Sequence, residues 1–335
     1  MVKRFALLGF LLLVPLGLLI IYILTNEPRL LSAEAPKVLR PLQRYSFNSL
    51  RKEKFPEVEI ELVKIVNKNE AFTTYEFKFF AWGKKITGLA NIPNNSNFIK
   101  TSGAKQKYPV IIMLRGYVDD KVYSPGMGTK RSADFLANNG FITLAPDFLG
   151  YGGSDKAYTN ALQTRFDAPV EVLSLISSIE SLKSADSERV GIWGHSNGGQ
   201  IAISVLEIAH KPYPTTLWAP VTKPFPESIL FYASEMPDRG EYLRKIIGDF
   251  EKDYDSRLYS ITDNVKWINA PLQLHQGTKD ESVPIEWSNS FIARMASLNK
   301  DVSYYTYNNE NHNFNSGSWE KAIKRDLTFF KKWLF

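Results

Sequence analysis

Cysteine is absent from this chain of 335 residues, and that one absence removes several chemistries. It excludes a disulfide scaffold, an iron–sulfur cluster, a Cys-ligated zinc site and a cysteine nucleophile. Histidine is scarce, with four residues, so a base of that type has few places to be. No dense basic run with interleaved aromatic residues occurs. The net charge of +6 is spread along the chain, which reads as a solubility charge rather than a nucleic-acid surface. No internal repeat is evident either. What is present is ordinary for a folded protein: 44% hydrophobic and 23% charged residues, outside the range of disordered or collagen-like chains. The length fits one large α/β domain with an N-terminal extension.

That extension holds a run without charge, Phe5 to Leu24, twenty residues long. At about 1.5 Å per residue it spans roughly 30 Å, the thickness of a bilayer core. Pro15 is tolerated in such a helix. A cleaved signal peptide has a shorter apolar region of about 7–15 residues with a small-residue cleavage site close behind, whereas Ala33-Glu34-Ala35 lies well beyond this run. The expectation is an uncleaved anchor in the lipid bilayer over residues 1–26. Lys3 and Arg4 predict a cytoplasmic N-terminus, with everything after about Asn26 outside. Residues 27–50, with Pro28, Pro36 and Pro41, read as an extended tether with some local helix.

Val58, Ile60 and Leu62 alternate with glutamates as a half-buried strand does, and Tyr75, Phe77 and Phe79 repeat the pattern. Gly83-Lys84 reads as a hairpin turn into a strand over Ile86–Ile92. Pro93 to Lys107 is polar and reads as a surface loop. From Tyr108 onward short apolar runs alternate with helical patterns. The runs are Val110–Leu114, Phe141–Leu144, Val190–Trp193, Thr215–Trp218, Leu272–His275 and Val302–Tyr307. Helices are expected near Ser132–Asn138, around Val172, Leu175, Ile176, Ile179 and Leu182, and over Trp319–Phe330. Alternating strands and helices imply a mostly parallel central sheet covered by helices on both faces, with the N-terminal strands as an antiparallel edge.

The chemistry centres on Gly194-His195-Ser196-Asn197-Gly198. It follows a buried-strand pattern and precedes the apolar helix pattern Gln200–Leu206. Strand, tight turn and helix make a nucleophile elbow, with glycines where strand and helix pass too close for a Cβ. A serine hydroxyl needs a base. His195 sits inside the elbow, where its side chain is expected to point away; His210 ends the following helix; His275 lies within a strand. His312 remains, in a polar loop between the last strand and the last helix. The acid that would hold it lies in the turn-rich segment Gln276–Pro284, where Asp280 is preferred to Glu281. The order Ser196, Asp280, His312 is that of the α/β-hydrolase fold, and no metal or organic cofactor is required.

With these motifs in place, the segment 108–335 resembles the catalytic domain of the prolyl oligopeptidase family of serine peptidases. GHSNGG, the Q-G-T-K-D-E-S-V-P loop and N-H-N-F-N correspond to its nucleophile, acid and base motifs. Asp147–Ser154 resembles its D-x-R-G-x-G-x-S loop, with Leu149 where arginine is common. Two departures stand out: Arg115 replaces the histidine of the family's H-G-x turn, and Gln276 stands where histidine often precedes the acid loop. The resemblance places an oxyanion hole at the backbone N–H groups of Asn197 and Tyr117. The larger members' β-propeller would need roughly 300 residues, against about 80 between Pro28 and Tyr108. Substrate selection is then expected to fall to Tyr117 and the Trp218–Pro271 excursion, whose Phe225, Phe231, Tyr232 and Tyr242 either line an apolar pocket or only pack the excursion against the sheet. The expectation is a membrane-anchored serine hydrolase with its α/β-hydrolase domain over 51–335. Peptides are its expected substrates, small acyl esters the alternative, and a non-catalytic binding protein on the same fold the second alternative.

Overall fold

Nine strands build one sheet in the order β1-β2-β3-β5-β4-β6-β7-β8-β9. The structure is a computed structural model and describes residues 40–94 and 107–335. The expected span Phe5–Leu24, the tether up to residue 39 and most of the polar loop after Pro93 lie outside the described residues. Among the described residues, no helix is long and apolar enough to cross a membrane.

The strands are β1 (Glu61–Lys68), β2 (Phe72–Ala81), β3 (Lys84–Pro93), β4 (Tyr108–Leu114), β5 (Ile142–Pro146), β6 (Ala185–His195), β7 (Thr215–Trp218), β8 (Leu272–Gly277) and β9 (Val302–Tyr307). The first three run antiparallel, and β3 joins β5 antiparallel. The remaining pairs, from β5–β4 across to β8–β9, are parallel. Among the described residues, the helices longer than one turn are α2 (Lys130–Asn138), α3 (Ala161–Ser177), α4 (Asn197–Ile208), α5 (Glu241–Glu251), α6 (Ile285–Ser297) and α7 (Trp319–Leu334), after a single-turn α1 (Phe47–Leu50).

The two-residue period of β4 divides the core. Val110, Ile112 and Leu114 face one apolar cluster with Val172, Leu175, Ile203 and Val205 of α3 and α4. Ile111 and Met113 face the other, with Leu136 of α2 and Ile323, Phe330 and Leu334 of α7. Both faces are therefore covered, as expected for parallel strands that are apolar throughout. After β4 the chain crosses to β5 on one side and then to β6 on the other. A crevice opens at the carboxyl ends of strands where the strand order reverses in this way. The topology alone points to the ends of β4 and β6 as the site.

Three sequence expectations need correction. The first strand begins at Glu61 and runs to Lys68, rather than over Val58–Leu62. The amides of Val58 and Ile60 donate instead to Ser178 Oγ (3.2 Å) and Ser181 Oγ (2.9 Å). Residues 42–50 are not tether. Leu42, Tyr45, Phe47 and Leu50 are buried in the main cluster, Leu42 N donates to Tyr254 Oη (3.1 Å), and Tyr259 Oη donates to Leu42 O (3.0 Å). The domain thus begins at Leu42. Helix α3 starts far earlier than its apolar pattern indicates, capped by Asn160, whose side chain accepts from Leu162 N and Gln163 N. It carries Pro169 in its interior and ends at Ser177, so Ile179 and Leu182 fall beyond it.

Candidate active site

Ser196 follows β6 and caps α4 with φ +56° and ψ −121°. That conformation costs a non-glycine residue on the order of 1–3 kcal/mol and persists only where its surroundings fix it. Here Ser196 N donates to Trp218 O (2.9 Å), while Ser196 O accepts from Gly199 N (3.0 Å) and Val221 N (3.1 Å). The close approach of α4 to β4 and to the end of β6 explains the glycines. A Cβ on Gly198 would lie 2.1 Å from Leu114 O, and one on Gly194 would lie 2.7 Å from Gly198 O. The register pairs Leu114 with Gly194, which brings the turn after β4 level with the serine.

Asp280 and His312 form a hydrogen-bonded pair, with His312 Nδ1 at 2.9 Å from Oδ2 and 3.0 Å from Oδ1. Asp280 Oδ1 also accepts from Ser282 N (2.9 Å) and Val283 N (2.8 Å). Its Oδ2 accepts from Gln276 Nε2 (2.8 Å), and Gln276 Oε1 accepts from Ser288 Oγ (2.7 Å). Burial pushes the Asp280 carboxyl up, but the His312 hydrogen bond and charge and the two amides outweigh it and hold it below the ordinary carboxylate range. An Asp280 carboxylate requires His312 to carry its proton on Nδ1, which leaves Nε2 as the acceptor.

The loop carrying His312 is braced from below. Glu310, fully buried, accepts from Ser316 N (2.6 Å), Ser318 N (2.8 Å) and Asn311 N (3.3 Å). His195 does not simply point away from the serine's surroundings. Its ring lies 4.7 Å from that of His312, and Nε2 donates to His312 O (3.0 Å). Burial and the neighbouring His312 push its pKa down to about 4, so it is a neutral prop beneath the base. His275 is buried, as its strand position predicts. It is bonded to Asp326 Oδ1 (2.9 Å) and Tyr307 Oη (2.6 Å), and Trp218 Nε1 donates to Asp326 Oδ2 (2.7 Å). His210 Nε2 bonds to Arg51 O (2.9 Å).

A cavity of about 730 Å³ brings Ser196, Asn197, Tyr117 and His312 to one surface. No hydrogen bond joins Ser196 to His312 in this structure, a looseness common in unliganded hydrolase sites. The amides of Asn197 and Tyr117 have no acceptor among the described residues, and Asn197 opens α4, whose dipole favours negative charge there. The Arg115 guanidinium braces this corner: Nη1 donates to Gly116 O and Nη2 to Asp147 O, each at 3.0 Å, and it lies 4.0 Å from the Tyr151 ring. Of the expected pocket aromatics, Phe225 and Tyr232 line the cavity with Tyr117. Phe231 and Tyr242 do not: both are exposed, and Phe231 packs on Trp287. Sequence reasoning missed Tyr45, Phe47, Arg165, Phe166 and Gln200, all on the wall. The signal for the first two is the apolar spacing within the supposed tether.

Residues 128–335 match the profile of the Prolyl oligopeptidase family. An uncharacterized peptidase of Bacillus subtilis (strain 168), YtmA, is 26% identical over 261 residues, which cover 77% of this chain and 93% of that protein. A puromycin-hydrolyzing peptidase of Mycobacterium tuberculosis superposes with a TM-score of 0.64 at 18% identity, over 80% of this chain and 40% of its own. An acetyl xylan esterase from Paenibacillus sp. R4 does so with a TM-score of 0.62 at 16% identity, over 86% of this chain and 92% of its own. The two superpositions show a shared α/β-hydrolase fold. Elbow, paired acid and imidazole, fold and profile agree: the chain is a serine hydrolase belonging to the prolyl oligopeptidase family.

Proposed function

We propose that Ser196 attacks the carbonyl carbon of a peptide bond while His312 Nε2 takes the hydroxyl proton and Asp280 holds the imidazole. The observation that carries this reading is the Asp280–His312 pair opening onto the same cavity as a serine held at positive φ. The Asn197 and Tyr117 amides receive the developing oxyanion. His312 then passes its proton to the leaving group, and water releases the acyl-enzyme by the reverse sequence. A small-ester carboxylesterase is the second reading, favoured by the largely apolar cavity wall of Phe47, Phe166, Ile201 and Phe225.

Labelling with a fluorophosphonate tests the mechanism. Wild-type protein is expected to label and Ser196→Ala to remain unlabelled, with turnover lower by about 10³–10⁶-fold. Folded wild-type protein that stays unlabelled would indicate a binding protein instead. Turnover of dipeptidyl p-nitroanilides against short acyl p-nitrophenyl esters separates peptidase from esterase. We further propose that Phe5–Leu24 holds this domain at a bilayer, on the extracytoplasmic side, as the sequence of that run supports. Full-length protein released by alkaline carbonate washing, or shielded from added protease in intact cells, would overturn that placement.

A further inference from the structure

The cavity that receives Ser196 also receives a guanidinium without a counter-ion. Arg165, on α3, lines the cavity. Its Nη2 bonds to Gln200 Oε1 and reaches Ser228 Oγ at 3.4 Å. Gln200 is itself oriented, since its Nε2 donates to Lys223 O and Ser228 Oγ, both at 3.3 Å. No carboxylate pairs with Arg165 among the described residues, and Nε and Nη1, carrying three N–H groups, have no acceptor among them. Burial lowers its pKa to about 10, with no charged neighbour contributing, so it stays a cation at neutral pH. The other basic group on the wall, Arg115, is committed to two backbone carbonyls. Two carboxyl groups also line the cavity: Glu171, whose pKa burial raises well above the ordinary range, and the exposed Glu235. Neither bonds Arg165.

Arg165 is half-buried, and a guanidinium on a cavity wall with no carboxylate beside it has N–H groups free to receive an anionic ligand. Its planar fork suits a carboxylate held by two parallel N–H···O bonds. Gln200 lies four residues, about 6 Å of rise, beyond Ser196 along α4. Arg165 and Ser196 line the same cavity with Phe166 and Ile201, so a substrate that places a carbonyl at Ser196 can extend along that wall to Arg165. We propose that Arg165, oriented by Gln200 and Ser228, is a carboxylate subsite that selects substrates carrying a free carboxylate a few bonds from the scissile carbonyl. This deepens the hydrolase reading and rests on it. The carboxylate has two chemical sources: the far end of a dicarboxylic acyl group, or the C-terminus of a short peptide.

The test compares ratios within one protein. For the acyl source, p-nitrophenyl esters of monoadipic acid and of its methyl ester differ only in the terminal charge. For the peptide source, a short peptide with a free C-terminus is compared with its C-terminal amide. In wild type, kcat/KM for the charged member of one pair is expected to exceed that of the neutral member by about 10- to 100-fold, the worth of a charge-assisted hydrogen-bond pair. In Arg165→Met that ratio should fall to about 1–3, and Arg165→Lys should recover part of it. Equal ratios in wild type and Arg165→Met, or no preference in either pair, would overturn the subsite. A binding measurement separates this outcome from failure of the hydrolase reading. Ser196→Ala protein should gain thermal stability with monomethyl adipate, or with the free peptide, and not with dimethyl adipate or the amide. That gain should vanish when Arg165→Met is added. Charge-selective stabilisation with no fluorophosphonate labelling would keep the subsite and refute the hydrolase. Labelling without charge selectivity would do the reverse.

Discussion

Replacing Gln276 by leucine removes one donor from the Asp280 carboxylate while nearly keeping its volume. Gln276 is fully buried, and its Nε2 gives Asp280 Oδ2 a 2.8 Å hydrogen bond. A hydrogen bond to a buried charge is worth about 1.5–3 kcal/mol. For a domain of this size that corresponds to a fall in Tm of about 3–12 °C at neutral pH. The pH dependence identifies the cause. Asp280 has a depressed folded-state pKa, so its stabilisation is complete above the unfolded carboxylate range and is lost as pH falls through the folded value. Losing a donor raises that folded value in the variant. The gap between wild type and Gln276→Leu should therefore be constant from pH 8 to about 5 and shrink as both carboxyls protonate. Ser288→Ala breaks the bond to Gln276 Oε1 without touching Asp280, and its cost of about 1 kcal/mol should not vary with pH. Thermal melts of the three proteins at stepped pH decide the matter. A Gln276→Leu deficit as large at pH 3.5 as at pH 7 would refute the reasoning and leave packing as the role of Gln276.

Asp167→Asn should stabilise the protein at pH 8 and leave it unchanged near pH 4. Burial raises the Asp167 pKa to about 6, so the folded state keeps its proton longer than the unfolded one and stability falls as pH rises between about 4 and 6. The gain is on the order of 2–3 kcal/mol, read by denaturant titration at both pH values. Gly198→Ala should cost several kcal/mol and abolish fluorophosphonate labelling, because the new methyl meets Leu114 O at 2.1 Å and forces β4 and α4 apart. His195→Phe keeps a ring beside His312 but deletes the bond to its carbonyl. A drop of about 10-fold in kcat, with a much smaller change in KM, is expected from a loosened base loop.

The residues of the candidate triad stand out in the sequence because each is announced locally. Gly194–Gly198 is contiguous, Asp280 sits in its own turn, and scarcity of histidine isolates His312. The sheet was legible for a similar reason, since apolar strands at regular spacing leave few topologies. What failed depends on contacts distant in sequence. Val58 and Ile60 alternate like a strand, yet their amides are taken by serines some 120 residues away. Residues 42–50 look like linker until Tyr254 and Tyr259 bond them. Arg165 gives no signal in sequence, because Pro169 interrupts the helical pattern of α3 and a lone arginine there reads as a solvated side chain.

Part of the cavity wall comes from segments of the chain far from the candidate triad. Tyr45, Phe47 and Arg165 belong to the opening turns and α3. Ser196, Asp280 and His312 hang from the ends of β6, β8 and β9, cross-linked through His195 and Glu310. Substitutions in the first set can therefore change which molecules are admitted while the second keeps its alignment. That stretch of wall can vary in shape and charge while the elbow and the Asp280–His312 pair stay where they are.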